Sequence, residues 1–216
     1  MSDQKMLLRD LVKDIDNHID EALRVYLDST MGYQHNKVYL EKSQKAASQE
    51  TGKNIAELDK INFTYGTGDP GAADSKVWLE ISQEQFKLHN SDRGKNEIFV
   101  GQMTLIFIFS FWEEIYRPKM ARILNVQKNE ISIDIFGELR NLRNDIVHHG
   151  GVATRNNTGK NRIISFTEGT EIRLGQDLAG EIASQLRRQL EGFVLEKTGY
   201  KINLTNRYSS TGHYRI

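Results

Sequence analysis

The chain has 216 residues, 38 % hydrophobic and 27 % charged, enough for one sizeable core and too apolar for an intrinsically disordered protein. It contains no cysteine, which excludes disulfides, cysteine-zinc sites and a thiol nucleophile and fits a reducing cytoplasm. The net charge is zero but unevenly spread: residues 1–100 carry 13 Lys and Arg against 17 Asp and Glu, residues 101–216 carry 16 against 12, and so small a surplus does not by itself specify a nucleic-acid partner.

From Met6 to Leu27 the apolar residues Leu8, Leu11, Val12, Ile15, Ile19, Leu23 and Tyr26 recur at helical spacing and predict an amphipathic helix. No apolar core with a small-residue cleavage site precedes it, so no signal peptide is expected. Tyr33–Leu58 is more polar and is expected to be helical. Ile61, Phe63 and Tyr65 alternate as in a short strand, Gly66–Ala73 reads as a loop, and Val77–Phe86 is open between strand and helix. A long helix is predicted over about Asn96–Leu124, kinked or split by Pro118. Its most apolar run, Met103–Trp112, is too short to span a membrane and reads as buried, so no membrane association is expected.

The next helix begins near Ser132 or Asp134, either of which can cap it, and stops at Gly150-Gly151. Arg162–Phe166 and Thr170–Leu174 alternate around Glu168-Gly169 and predict a β-hairpin. A last helix covers Gln176–Glu196, and residues 200–216 form a basic, aromatic tail in which Tyr208, His213, Tyr214 and Arg215 are of types that stack on nucleic acid. The expected fold class is predominantly all-α: a bundle of four or five helices with a small β-hairpin, in one domain over 1–216 with a polar insertion at 28–95.

On a helical wheel Ile135, Leu139, Leu142 and Ile146 form one stripe, which should face the core. Arg140, Asn144 and His148 form an i, i+4, i+8 row on the opposite side. Phe136, Arg143 and Val147 lie between and suggest a second surface that is at least partly buried, such as a subunit contact. His149 is placed inward or as a cap on the helix end.

The run Arg143-Asn144-Asp145-Ile146-Val147-His148 resembles the active-site motif of the HEPN group, in which an arginine, often followed by a polar residue, precedes a histidine by four to six positions. The flanking Glu138–Leu142, the Gly150-Gly151 stop and the preceding Phe111-Trp112-Glu113-Glu114 are similar too, and the resemblance covers roughly residues 96–195. It implies a HEPN-like helical bundle and a metal-independent endoribonuclease of the toxin or antiviral-defence type, with RNA as substrate, a homodimer as the working unit and an inhibitory antitoxin or regulatory partner. Arg143, His148 and Asn144 become the catalytic candidates, and Arg140 and His149 the RNA-binding ones. An imidazole exchanges protons near neutrality and a guanidinium grips two phosphate oxygens, which suits attack by a ribose 2′-hydroxyl. Arginine and histidine at a helix C-terminus also serve simply to satisfy carbonyls and the helix dipole. Some relatives of the group carry a tyrosine just after the histidine that is modified by a partner transferase. His149, Gly150, Gly151 and Val152 stand there instead, so no such regulation is expected.

Two other readings stay open: a non-catalytic HEPN-like adapter or RNA-binding module, and a nucleotide-binding protein using Gly66-Thr67-Gly68-Asp69-Pro70-Gly71. The latter fits G-x-G-x-x-G literally, but Asp69 places a negative charge in the cradle and Pro70 removes an amide donor. His18, His35, His89 and His213 lack ligand spacing, so neither a metal nor another cofactor is expected.

Overall fold

The computed structural model describes residues 3–69 and 72–204. The fold is predominantly α-helical with one small antiparallel hairpin. The helices are α1 (Asp3–Thr51), α2 (Ile55–Asp59), α3 (Gln83–His89), α4 (Lys95–Phe111), α5 (Arg117–Leu124), α6 (Asp134–His148) and α7 (Gln176–Thr198). The strands are β1 (Asn62–Thr67) and β2 (Lys76–Ser82). The chain divides into two compact units, residues 1–26 with 101–216 and residues 27–100, where the sequence suggested one domain carrying a 28–95 insertion. The Met6–Leu27 helix runs on without a break into the more polar stretch from Tyr33 to Thr51 as the single α1, no proline intervening, while Gly52 at positive φ ends it and Asn54 caps α2, which holds Leu58. Pro70 and Gly71 of the glycine motif and residues 205–216, with Tyr208, His213, Tyr214 and Arg215, lie outside the described residues.

The unit of residues 1–26 and 101–216 holds the bundle core. Leu8, Val12 and Ile15 of α1, Leu105 and Ile108 of α4, and Ile182, Leu186 and Leu190 of α7 are all buried. Ile135, Leu139, Leu142 and Ile146 of α6 are buried as the wheel requires. Arg187 of α7 donates to Asp16 of α1 at 2.7 Å and to Asp20, an ion pair in which Asp16 is fully buried.

α4 passes into α5 through a π-helical turn, Trp112–Tyr116, in which the Arg117 amide donates to the Trp112 carbonyl five residues back. Pro118 follows at the start of α5. Its ring displaces the carbonyl four residues earlier, and a widened turn accommodates that without ending the helix. The turn buries both Trp112 and Tyr116. The Tyr116 hydroxyl lies 2.6 Å from His18 Nδ1 and 3.2 Å from Asp14 Oδ2, and burial and then the Asp14 charge push its ionisation well up. The Lys95–Leu124 helix is long and apolar enough to cross a bilayer by length and composition, with 33 % of its most apolar window buried. Within Met103–Trp112, Leu105, Ile108 and Trp112 are buried while Met103 and Phe107 are exposed, so the run is buried on one side only.

In the unit of residues 27–100, β1 pairs with β2 in antiparallel register, Phe63 opposite Ile81 and Tyr65 opposite Leu79, with an irregularity after Tyr65. The hairpin rests on α3 through Phe63 stacked against Phe86, centroids 4.4 Å apart. Asp59 anchors α2 by accepting from Gln44 Nε2 at 2.7 Å and Lys87 Nζ at 2.6 Å. This hairpin is where Ile61–Tyr65 alternated, and Val77–Phe86 resolves into strand followed by helix. The hairpin expected over 162–174 does not form: among those residues only an isolated bridge, Val152 to Glu171, is found.

Candidate active site

α6 carries the motif, and its two ends are held by different means. At the N-terminus neither Ser132 nor Asp134 caps it. Ile133 occupies the cap position, and the Ile135 amide donates to Gln189 Oε1 of α7 at 3.0 Å, so the cap comes from another helix. At the C-terminus the amides of His149 and Gly151 both donate to the Asp145 carbonyl, with Gly150 and Gly151 in left-handed geometry. Gly151 has a second reason to be glycine: a Cβ there would collide with the Gln102 side chain, whose amide donates to the Ile172 carbonyl at 3.1 Å.

The side chains of Arg143, Asn144 and His148 come together within one chain. Arg143 Nη1 donates to Asn144 Oδ1 at 3.2 Å and lies 3.4 Å from His148 Nε2. The wheel separates Arg143 and His148 by about 140° and about 7.5 Å of rise, and the long guanidinium arm closes that gap. A guanidinium only donates, so at this contact Nε2 can serve only as the acceptor, in the imidazole tautomer that carries its hydrogen on Nδ1. His148 is exposed while Arg143 and Asn144 are half-buried.

Arg140 is exposed one turn before Asn144. His149 is the C-cap residue and is exposed, so the inward alternative for it is corrected: the helix ends before its side chain can turn to the core. The second surface drawn through Phe136, Arg143 and Val147 is corrected in part. Phe136 is buried by its own chain, stacked on Trp112 with centroids 4.0 Å apart and planes 5° apart, leaving Val147 47 % exposed.

Two acids with no role in the motif, Asp145 and Glu138, tie α6 to the irregular segment behind it. Asp145 is fully buried and accepts from the Thr154 amide at 2.8 Å, the Thr154 hydroxyl at 2.7 Å and Asn157 Nδ2 at 2.6 Å. Burial pushes its carboxyl up, but the bonds from Asn157 and Thr154 outweigh that and leave it below the usual carboxylate range. Glu138 accepts from the amides of Arg162, Ile163 and Ile164 at 2.7 to 3.0 Å. Asn141 Nδ2 donates to Asn161 Oδ1 at 2.8 Å between them. The available signal was spacing: Glu138, Asn141 and Asp145 sit at i, i+3, i+7, a polar row on a helix whose core stripe is already filled.

The glycine loop joins two antiparallel strands, and the Ala72 amide donates to the Asp69 carbonyl. A dinucleotide cradle needs a helix N-terminus at that point, and β2 stands there instead. Among the described residues no three His, Asp or Glu side chains are grouped to hold a metal ion. Comparison with family models, curated protein sequences and solved structures gives no match.

Proposed function

We propose that the chain is a HEPN-like, metal-independent endoribonuclease of the toxin or antiviral-defence type, acting in the cytoplasm as a homodimer. The observation that carries the reading is the Arg143–Asn144–His148 cluster, with Arg143 Nη1 3.4 Å from His148 Nε2 and His148 exposed to solvent. When Arg143 turns from His148 to the phosphate, Nε2 is freed to take the proton of a ribose 2′-hydroxyl, and that oxygen attacks the adjacent phosphorus. Arg143 stabilises the phosphorane charge, and the departing 5′-oxygen takes up a proton from water while His148 returns its own to solvent, leaving a 2′,3′-cyclic phosphate and a 5′-hydroxyl. Asn144 orients the guanidinium. The exposure of His148 favours this reading over a non-catalytic adapter, in which packing would seal the pair. Exposed Val147 is the part of the second α6 surface left open for a second copy.

The test is incubation of the wild type and His148→Ala with total RNA in EDTA. The wild type should cleave and leave cyclic or 3′-phosphate ends, a 2′-O-methyl substrate should be inert, and the folded variant should be inactive. Arg143→Lys should lose about 10²-fold or more in rate. Magnesium-dependent cleavage leaving 3′-hydroxyl ends overturns the assignment. Light scattering should show a dimer, and a monomer at tens of micromolar would remove that part of the proposal.

A further inference from the structure

A cavity of about 490 Å³ opens between the π turn, the N-terminal half of α6 and residues 160–163. Its size falls in the range of about 300–1,000 Å³ usual for ligand sites. Two of the acids that line it are already engaged. Glu113 pairs with Arg117 at 2.9 Å and with Lys128 at 2.7 Å, and Glu138 is taken up by backbone amides. Asp134 is the third, exposed in the first turn of α6. Against these stand Arg140, Lys160 and Arg162, which line the same cavity, are exposed, and have no side-chain partner among the described residues. The surrounding stretch 139–167 carries Arg140, Arg143, Arg155, Lys160 and Arg162 with one acid, Asp145, which is buried and hydrogen-bonded.

Cationic side chains without protein partners around a nucleotide-sized cavity form an anion site. Arg140 connects it to the motif, since Asn144 follows one helical turn later, about 6 Å along the axis. We propose that this cavity holds the phosphate backbone of a single-stranded RNA next to the bond that is cut, with Lys160 and Arg162 pairing its phosphate oxygens. That the anion is an RNA strand rests on the ribonuclease reading, while the anion chemistry stands on the cavity.

The test measures binding of a short fluorescent single-stranded RNA to His148→Ala protein across a salt series, with and without Lys160→Gln and Arg162→Gln together. Both side chains are exposed and unpaired, so thermal melting should be unchanged. The double variant should bind at least tenfold more weakly. Its slope of log affinity against log salt should shrink by about 1.4, since each phosphate contact on a single strand contributes about 0.7. Arg173→Gln, which removes a cation already paired with Glu171, should change neither quantity. Unchanged affinity and slope in the double variant overturn the proposal, as does a 5′-mononucleotide that binds as tightly as the strand. The two readings fail separately. A wild type that never cleaves, but whose RNA binding needs Lys160 and Arg162, loses the ribonuclease reading and keeps the cavity. A wild type that cleaves while the double variant binds normally does the reverse.

Discussion

Ile61, Phe63 and Tyr65 alternate with polar side chains much as residues 162–174 do, yet the backbone of the first stretch pairs with a second strand and that of the second pairs with its surroundings. In β1 and β2 the amides and carbonyls meet across the hairpin, and Phe86 supplies a floor under Phe63. In the second stretch the amides of Arg162, Ile163 and Ile164 go to the Glu138 carboxylate. The segment at 169–172 bonds instead to the chain just past the motif: Ala153 donates to the Thr170 carbonyl and Ile172 to the Gly151 carbonyl, both at 2.8 Å. Every buried amide needs an acceptor, and a carboxylate is a stronger one than a neutral carbonyl. Alternation shows which side chains share a face and is silent on where the backbone bonds go. The second stretch therefore braces the motif helix rather than forming a sheet of its own.

The largest effect should come from removing the hairpin's floor. Phe86→Ala should cost about 3–4 kcal/mol in chemical denaturation, as for other buried phenylalanines, and hydrogen exchange should show β1 and β2 losing protection together. Protection unchanged in the variant would show that the hairpin stands without α3. Glu138→Ala should cost about 2–3 kcal/mol, because up to three amides lose their acceptor. The Ile163 and Ile164 amides should then exchange faster. If they stay protected, the alternating stretch has re-paired as a hairpin, and the carboxylate was not what prevented it.

The next effect depends on pH. Asp145 titrates below its unfolded value of about 3.9, so its contribution to stability is complete above that value and is lost as pH falls through the lower folded value. Asp145→Asn should therefore flatten the acid limb of a stability-against-pH curve below about pH 4 and leave its shape near neutrality unchanged. A limb as steep as the wild type's would assign acid unfolding to other carboxylates. The smallest effect is expected at Leu79, which is 68 % exposed on β2 opposite Tyr65. Leu79→Ala should stay within about 0.5 kcal/mol. A larger loss of stability would mean that the open part of the hairpin is covered in solution.

The amino-acid sequence by itself determined the predominantly helical class, the core stripe Ile135–Leu139–Leu142–Ile146, the stop at Gly150-Gly151 and the last helix. Each is a local property: a period of 3.6 or a residue able to take positive φ. Tertiary structure decided the rest. Gln189 caps α6 from 54 positions away, Trp112 covers Phe136, and Glu138 diverts the amides of a would-be strand. The candidate site divides along the same line. Arg143, Asn144 and His148 were legible as a spacing, but that they meet in one chain depends on how a long side chain lies at a helix end. Asp145 left only a polar spacing with Glu138 and Asn141, its partners Thr154 and Asn157 being set by packing, and Lys160 and Arg162 were not legible, because a cation that stays unpaired is recognised only by the neighbours it lacks.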